Sequence, residues 1–140
     1  MTWYIAAFLS ALFAALTAIL AKIGIKNVDS NLATAIRTTV ILIFTWGIVA
    51  FQGTTRALPK ISQDAWIFLI LSGIATGLSW LFYFYALKMG EAIKVVPIDK
   101  LSLVLTIILA GIILKEKITL QTAVGAVLMT LGALLIAVAK

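Results

Sequence analysis

Asp99 and Lys100 stand side by side in KVVPIDKLSLVLTIILAGIILK (94–115), a run whose length forces both charges below a membrane surface. Its charge-free part, Leu101 to Leu114, rises only about 21 Å as a helix, short of a hydrocarbon layer of about 30 Å. A helix starting near Val95 makes up the difference and sets Pro97 in its first turn, where a missing N–H costs little. It also submerges Asp99 and Lys100 by roughly 6 to 8 Å. An acid and a base held there suit ion pairing, proton carriage or the gating of a charged solute. Arg37 meets the same constraint in LATAIRTTVILIFTWGIVAF (32–51), because Thr38 to Phe51 alone is again too short to span. Two roles are open to it. Its long stem lets it snorkel to the headgroups, or it faces the bundle interior, paired or serving a solute.

A third group lies on the run AWIFLILSGIATGLSWLFYFYAL (65–87). Thr76, Ser79 and Tyr83 are three and then four positions apart, so a helix presents their hydroxyls on one face, with Trp80 and Phe84 alongside. Such a face can line a cavity for a polar solute. It competes with a plainer role, in which the hydroxyls bond the carbonyl four residues back and Tyr83 anchors at the membrane interface. An Arg37 to Asp99 contact is a further possibility, since both lie toward the same membrane face.

The chain has neither cysteine nor histidine, which removes disulfides, thiol chemistry, zinc sites and imidazole acid-base catalysis. No nucleophile, base and orienter set is available, so the expectation is that the protein is not an enzyme and takes no cofactor or metal. The composition is 64% hydrophobic, with a formal charge of +6, and mean hydropathy is +1.19. This is the make-up of an integral membrane protein in the cell membrane, and the lysines and arginines are expected at helix ends against anionic headgroups. No basic face suggests nucleic acid as a partner.

The elements that must hold these residues are five apolar crossings, Trp3–Ala21, Leu32–Phe51, Ala65–Leu87, Val95–Leu114 and Leu120–Ala139, forming one domain over 3–139. The first lacks a basic leader region and is too long for a signal peptide, so it is expected to be retained. Ser30 or Asn31 is the expected cap of the second crossing and Thr119 of the fifth. The stretch 52–64, with Gly53 and Pro59, is the one sizeable loop. Small residues provide docking faces: the alanines of the first crossing, the Gly73 and Gly77 pair, and on the fifth either Gly125 with Met129 or Ala126 with Thr130 and Ala133.

Five crossings put the termini on opposite sides. Arg56, Lys60, Lys115 and Lys117 fall on the N-terminal side, whereas Lys22, Lys26, Arg37, Lys88, Lys94, Lys100 and Lys140 fall on the other. The positive-inside rule favours an outside N-terminus, yet discounting the submerged Lys22, Arg37 and Lys100 evens the count, so insertion in both orientations stays open.

The stretches LSALFAALTAILAKIGIKNVDSNLATAIRT, LSGIATGLSWLFYFYALKMGEAIKVVPIDKLSLVLTIILAGIILKEKIT and TAVGAVLMTLGALLIA resemble the EamA-type members of the drug/metabolite transporter superfamily. The likeness covers essentially the whole chain. It implies one all-α bundle of a polytopic membrane protein, where most relatives carry two in tandem. A single unit is then expected to pair into a ten-helix dimer, with an antiparallel homodimer as one arrangement. The resemblance also implies that Ser79, Trp80, Tyr83, Pro97, Asp99 and Lys100 line the central cavity and that Glu116 is architectural. The four-helix multidrug members use a glutamate in the first helix, whereas Met1 to Ala21 here contains no acid. That departure, with the positive side chains, favours an anionic or zwitterionic solute and leaves Asp99 as the candidate proton carrier. The expected function is secondary transport, or facilitated passage, of a small polar metabolite by alternating access as a homodimer. The alternative is a non-transporting scaffold or accessory subunit of a hetero-oligomer.

Overall fold

Helix ends in the computed structural model, which describes residues 2–139, fall close to the polar punctuation of the sequence. In order they are α1 (Trp3–Gly24), α2 (Ser30–Phe51), a 3-10 helix (Thr54–Lys60), α3 (Gln63–Met89), α4 (Ala92–Asp99), α5 (Ser102–Ile113) and α6 (Leu120–Val138). With α4 and α5 taken as the single span Ala92–Ile113, five stretches of the described residues are long and apolar enough to cross a bilayer. The chain is an all-helical, integral multi-pass membrane protein. Large apolar side chains such as Phe8, Phe44, Phe68 and Ile112 are exposed along these helices, as lipid permits when every helix satisfies its own backbone. Lys140, counted above among the charges, lies outside the described residues.

The chain divides into two compact units. One comprises Ala21–Lys88. Its buried side chains are Ala21, Ile25, Ser30, Thr34, Phe84 and Leu87, so its core joins the end of α1, the start of α2 and the end of α3. Two polar devices close that end. Lys22 Nζ donates to the Leu87 carbonyl, answering one of the acceptors that the last turn of α3 leaves over. Asp29, in extended conformation, caps α2 in place of the expected Ser30 or Asn31: one of its carboxylate oxygens accepts from the N–H groups of Asn31 at 2.9 Å and Leu32 at 3.1 Å.

Those two backbone donors, helped by the charge of Lys88, hold the Asp29 carboxyl below the ordinary aspartate value. Folding lowers its value, so the charged form stabilises the fold at pH above the unfolded value of about 4. That contribution is lost as the pH falls through the lower folded value. Asp29→Asn keeps an acceptor and loses the charge. Its Tm in detergent is expected to lie below that of the unsubstituted protein at pH 7, with the gap closing as both samples are titrated below pH ~4.

The other unit comprises Met1–Leu20 and Met89–Lys140. Here α6 packs against both α4 and α5, and its buried residues are Ala126 and Ala133. Of the two small-residue faces open to α6, the alanine face is the one covered, while a side chain at Gly125 or Gly132 would meet nothing within 4 Å. Thr119 is the N-cap of α6, accepting from the Thr122 N–H at 3.2 Å, as its place before an apolar run predicts.

The corner between α5 and α6 is tight. Lys115 turns it in the left-handed region, at φ 55°, and the Glu116 N–H returns to the Ala110 carbonyl at 3.2 Å. Ile118 lies over Gly111, where an added Cβ would stand 2.6 Å from the Ile118 Cδ1 and 3.2 Å from its Cγ1. Gly111→Val is expected to destabilise by about 1–3 kcal/mol, the usual cost of an overpacked site. Ile118→Ala should recover most of that loss, and a double-mutant cycle in denaturant checks it. Equal losses with and without Ile118 would dissociate the glycine from the corner.

Candidate functional site

The charges expected below the membrane surface belong to different units, Arg37 to Ala21–Lys88 and Asp99 with Lys100 to the other. Arg37 lies seven residues into α2, about 11 Å along the helix from Ser30. Its guanidinium carbon sits 4.3 Å from the Phe84 ring centroid and 5.5 Å from that of Trp80. The two rings belong to one face of α3 because they are four residues apart. Tyr83 packs edge-on against Phe84, with centroids 5.5 Å apart and planes at 80°. Within Ala21–Lys88 the fold therefore gathers Arg37, Trp80, Tyr83 and Phe84 into an aromatic site around one cation. Nη1 of Arg37 is buried and has no hydrogen-bond partner.

Phe84 is the residue that sequence reasoning undervalued. It was visible only as the partner of Trp80 at a spacing of four, yet at 1% exposure it is the ring closest to the cation and part of the core.

The hydroxyl face resolves differently. Thr76 Oγ1 donates to the Ser72 carbonyl at 2.9 Å, so its donor is spent within its own helix, and Thr76 and Ser79 are both exposed. The same habit extends along α2, where Thr34, Thr38, Thr39 and Thr45 donate to Ser30, Thr34, Ala35 and Ile41. A groove of about 410 Å³ opens between α2 and α3, lined by Asn31, Thr34, Ala35, Thr38, Thr39, Leu42, Gly77 and Leu81. Three of its hydroxyls are thus already engaged, and Arg37 is not part of its lining. A side chain built at Gly73 or Gly77 would meet nothing within 4 Å, so the glycine pair is not used for close packing among the described residues.

In the other unit Asp99 closes α4 and Lys100 follows as its C-cap. Lys100 Nζ stands 3.3 Å from Asp99 Oδ2, so the pair answers itself. Nearby, Lys94 approaches Glu91 at 3.6 Å. The expected unbroken helix from Val95 is not what forms. It begins at Ala92, which puts Pro97 in the second turn rather than the first, and it breaks at Lys100 and Leu101. The hydrogen bonds change pattern at the break. Lys100 still donates to the carbonyl four residues back, whereas Leu101, Leu103 and Val104 each donate to the carbonyl only three residues back, tightening the chain into a 3-10 turn. With the earlier start, Asp99 lies about 11 Å along α4 from Ala92.

Comparison with known proteins is consistent with this architecture. Residues 1–138 match the EamA-like transporter family. The chain is 48% identical over 137 residues to an uncharacterized transporter in the cobO 3' region of Sinorhizobium sp, covering 98% of this chain and 97% of that protein. It is also 32% identical over 78 residues to an uncharacterized protein of Methanocaldococcus jannaschii, covering 56% of this chain and 57% of the relative. No solved structure matches.

Proposed function

Because the chain belongs to the EamA-like transporter family and is a membrane transporter, we propose that it moves a small polar metabolite by alternating access as a homodimer. The observation that carries the reading is the Arg37 site, a cation within an apolar span lying against Trp80 and Phe84 with one donor unfilled. A transporter keeps such a group for its cargo, since a purely anchoring arginine would end in water or on a headgroup. Tyr83, Trp80 and Arg37 form the solute-contacting set. Asp99 and Lys100, at the break between α4 and α5, form the gating set. Thr76 and Ser79 remain in the proposed cavity wall only through Ser79, whose hydroxyl is not bonded back to its helix in the way that of Thr76 is.

The homodimer is supported by the unfilled Gly73 and Gly77 face and by the small size of one five-span bundle. Two copies in opposite orientations give the inverted symmetry on which alternating access rests. Uptake and efflux by proteoliposomes across amino acids, nucleobases, sugars and organic acids test the function. Folded, dimeric protein that moves none of them would sink it in favour of the scaffold reading. Cysteines introduced at Asn27 and Gln63 test orientation: each is expected to be labelled from both sides of intact cells, and a single fixed orientation would remove the antiparallel arrangement.

A further inference from the structure

We infer that Arg37 is the receptor for the carboxylate of an organic monoanion with an apolar body, an assignment that rests on the transport reading above and gives it a substrate class. An aromatic ring attracts a guanidinium through its π face but offers its N–H groups no oxygen acceptor. The central carbon of Arg37 lies 4.3 Å from the Phe84 centroid and 5.5 Å from that of Trp80, and Nη1 is buried without an acceptor. A submerged, permanently charged group with an empty donor requires an anion.

The described residues do not supply one. Asp29 caps α2 through the N–H groups of Asn31 and Leu32. Asp64 lies in the first turn of α3, twenty residues and about 30 Å along the helix from Phe84. Glu91 is paired with Lys94, and Asp99 with Lys100. Glu116 belongs to the corner after α5. The counter-ion therefore arrives with the solute.

Charge and shape then select its class. One guanidinium neutralises one negative charge, which favours a carboxylate over a doubly charged phosphate ester in surroundings this apolar. The planar fork accepts two coplanar oxygens, and the carboxylate is the planar anion. The Trp80 ring, beside the guanidinium, offers the rest of the solute an apolar surface. An ammonium on the same molecule would be repelled by Arg37, so monocarboxylates are preferred to amino acids.

The test is equilibrium binding of radiolabelled benzoate to the purified full-length protein in phosphatidylcholine vesicles, with hexanoate, benzamide, phenyl phosphate and benzylamine as competitors. Saturable binding is expected, displaced by hexanoate but not by benzamide or benzylamine, and only weakly by phenyl phosphate. Arg37→Gln should weaken it by about 10- to 100-fold, the effect of losing a charge-assisted bond, with Arg37→Lys falling between. Circular dichroism establishes that each variant is folded, and the selectivity of the unsubstituted protein stands even if Arg37→Gln does not fold. Absence of saturable benzoate and hexanoate binding overturns the inference, as does equal binding by folded Arg37→Gln. Displacement of the label by phosphatidylglycerol at every carboxylate concentration also overturns it, since Arg37 would then be serving a lipid headgroup. Arg37-dependent binding in vesicles that accumulate no label upholds the inference and removes the transport reading. Uptake of a neutral or cationic solute that persists in Arg37→Gln does the reverse.

Discussion

Phe84→Ala is expected to cost about 3–5 kcal/mol, the range for removing a fully buried aromatic ring, and to strip the Arg37 site of its nearer wall. The ring is 1% exposed, lies 4.3 Å from the guanidinium carbon, and takes the edge of Tyr83. Two different losses combine in that substitution, and Phe84→Leu separates them. Leucine keeps an apolar side chain in the core but has no ring face, so its extra cost on the Arg37 side should be limited to the cation and ring attraction, about 0.5–2 kcal/mol. Unfolding in mixed micelles with rising denaturing detergent measures both. If Phe84→Ala loses no more than Phe84→Leu, the ring is not the packed wall described above.

Asp99→Asn is expected to abolish coupling to a pH gradient, so that gradient-driven uptake drops to its no-gradient level while downhill exchange continues. Asparagine preserves the shape of the side chain and cannot cycle a proton. The prediction stands on position: Asp99 is the last residue of α4, at the break in the span, and its ion-pair partner Lys100 is the first residue beyond. A carboxylate that alternates between holding a proton and holding Lys100 would couple protonation to the geometry of the turn. Asp99→Asn also leaves Lys100 without its counter-ion, so the double variant with Lys100→Gln is the companion measurement, and it should be equally uncoupled and better folded. Coupling that survives in folded Asp99→Asn removes Asp99 from the role.

The crossings were legible because charge is so expensive in lipid that its spacing along the chain marks where helices end. Lys22, Asp29, Asp64, Lys88 and Glu91 all lie within a few residues of observed helix ends. Finer features followed from competition that the sequence does not display. Asp29, Ser30 and Asn31 are all competent caps, and the choice fell to Asp29 because its oxygen reaches two N–H groups at once. The break at Lys100 was hidden because the change from four-back to three-back hydrogen bonds has no signature in residue type. Arg37 stood out from the length of its run alone. Its covering rings did not, because they come from α3, and nothing in a single sequence states which helix faces meet.

The threonines of α2 have a consequence for how the protein is made. Thr34, Thr38, Thr39 and Thr45 each donate to a carbonyl of their own helix. A nascent α2 therefore carries its hydroxyls into lipid already answered, and those groups give it no reason to wait for a neighbour. Arg37 does give one: its ring faces, Trp80 and Phe84, belong to a helix that is synthesised later. The insertion machinery must shelter α2, or let Arg37 reach the interface, until α3 emerges. A ribosome stalled before Trp80 would leave Arg37 without its rings and dependent on the interface alone.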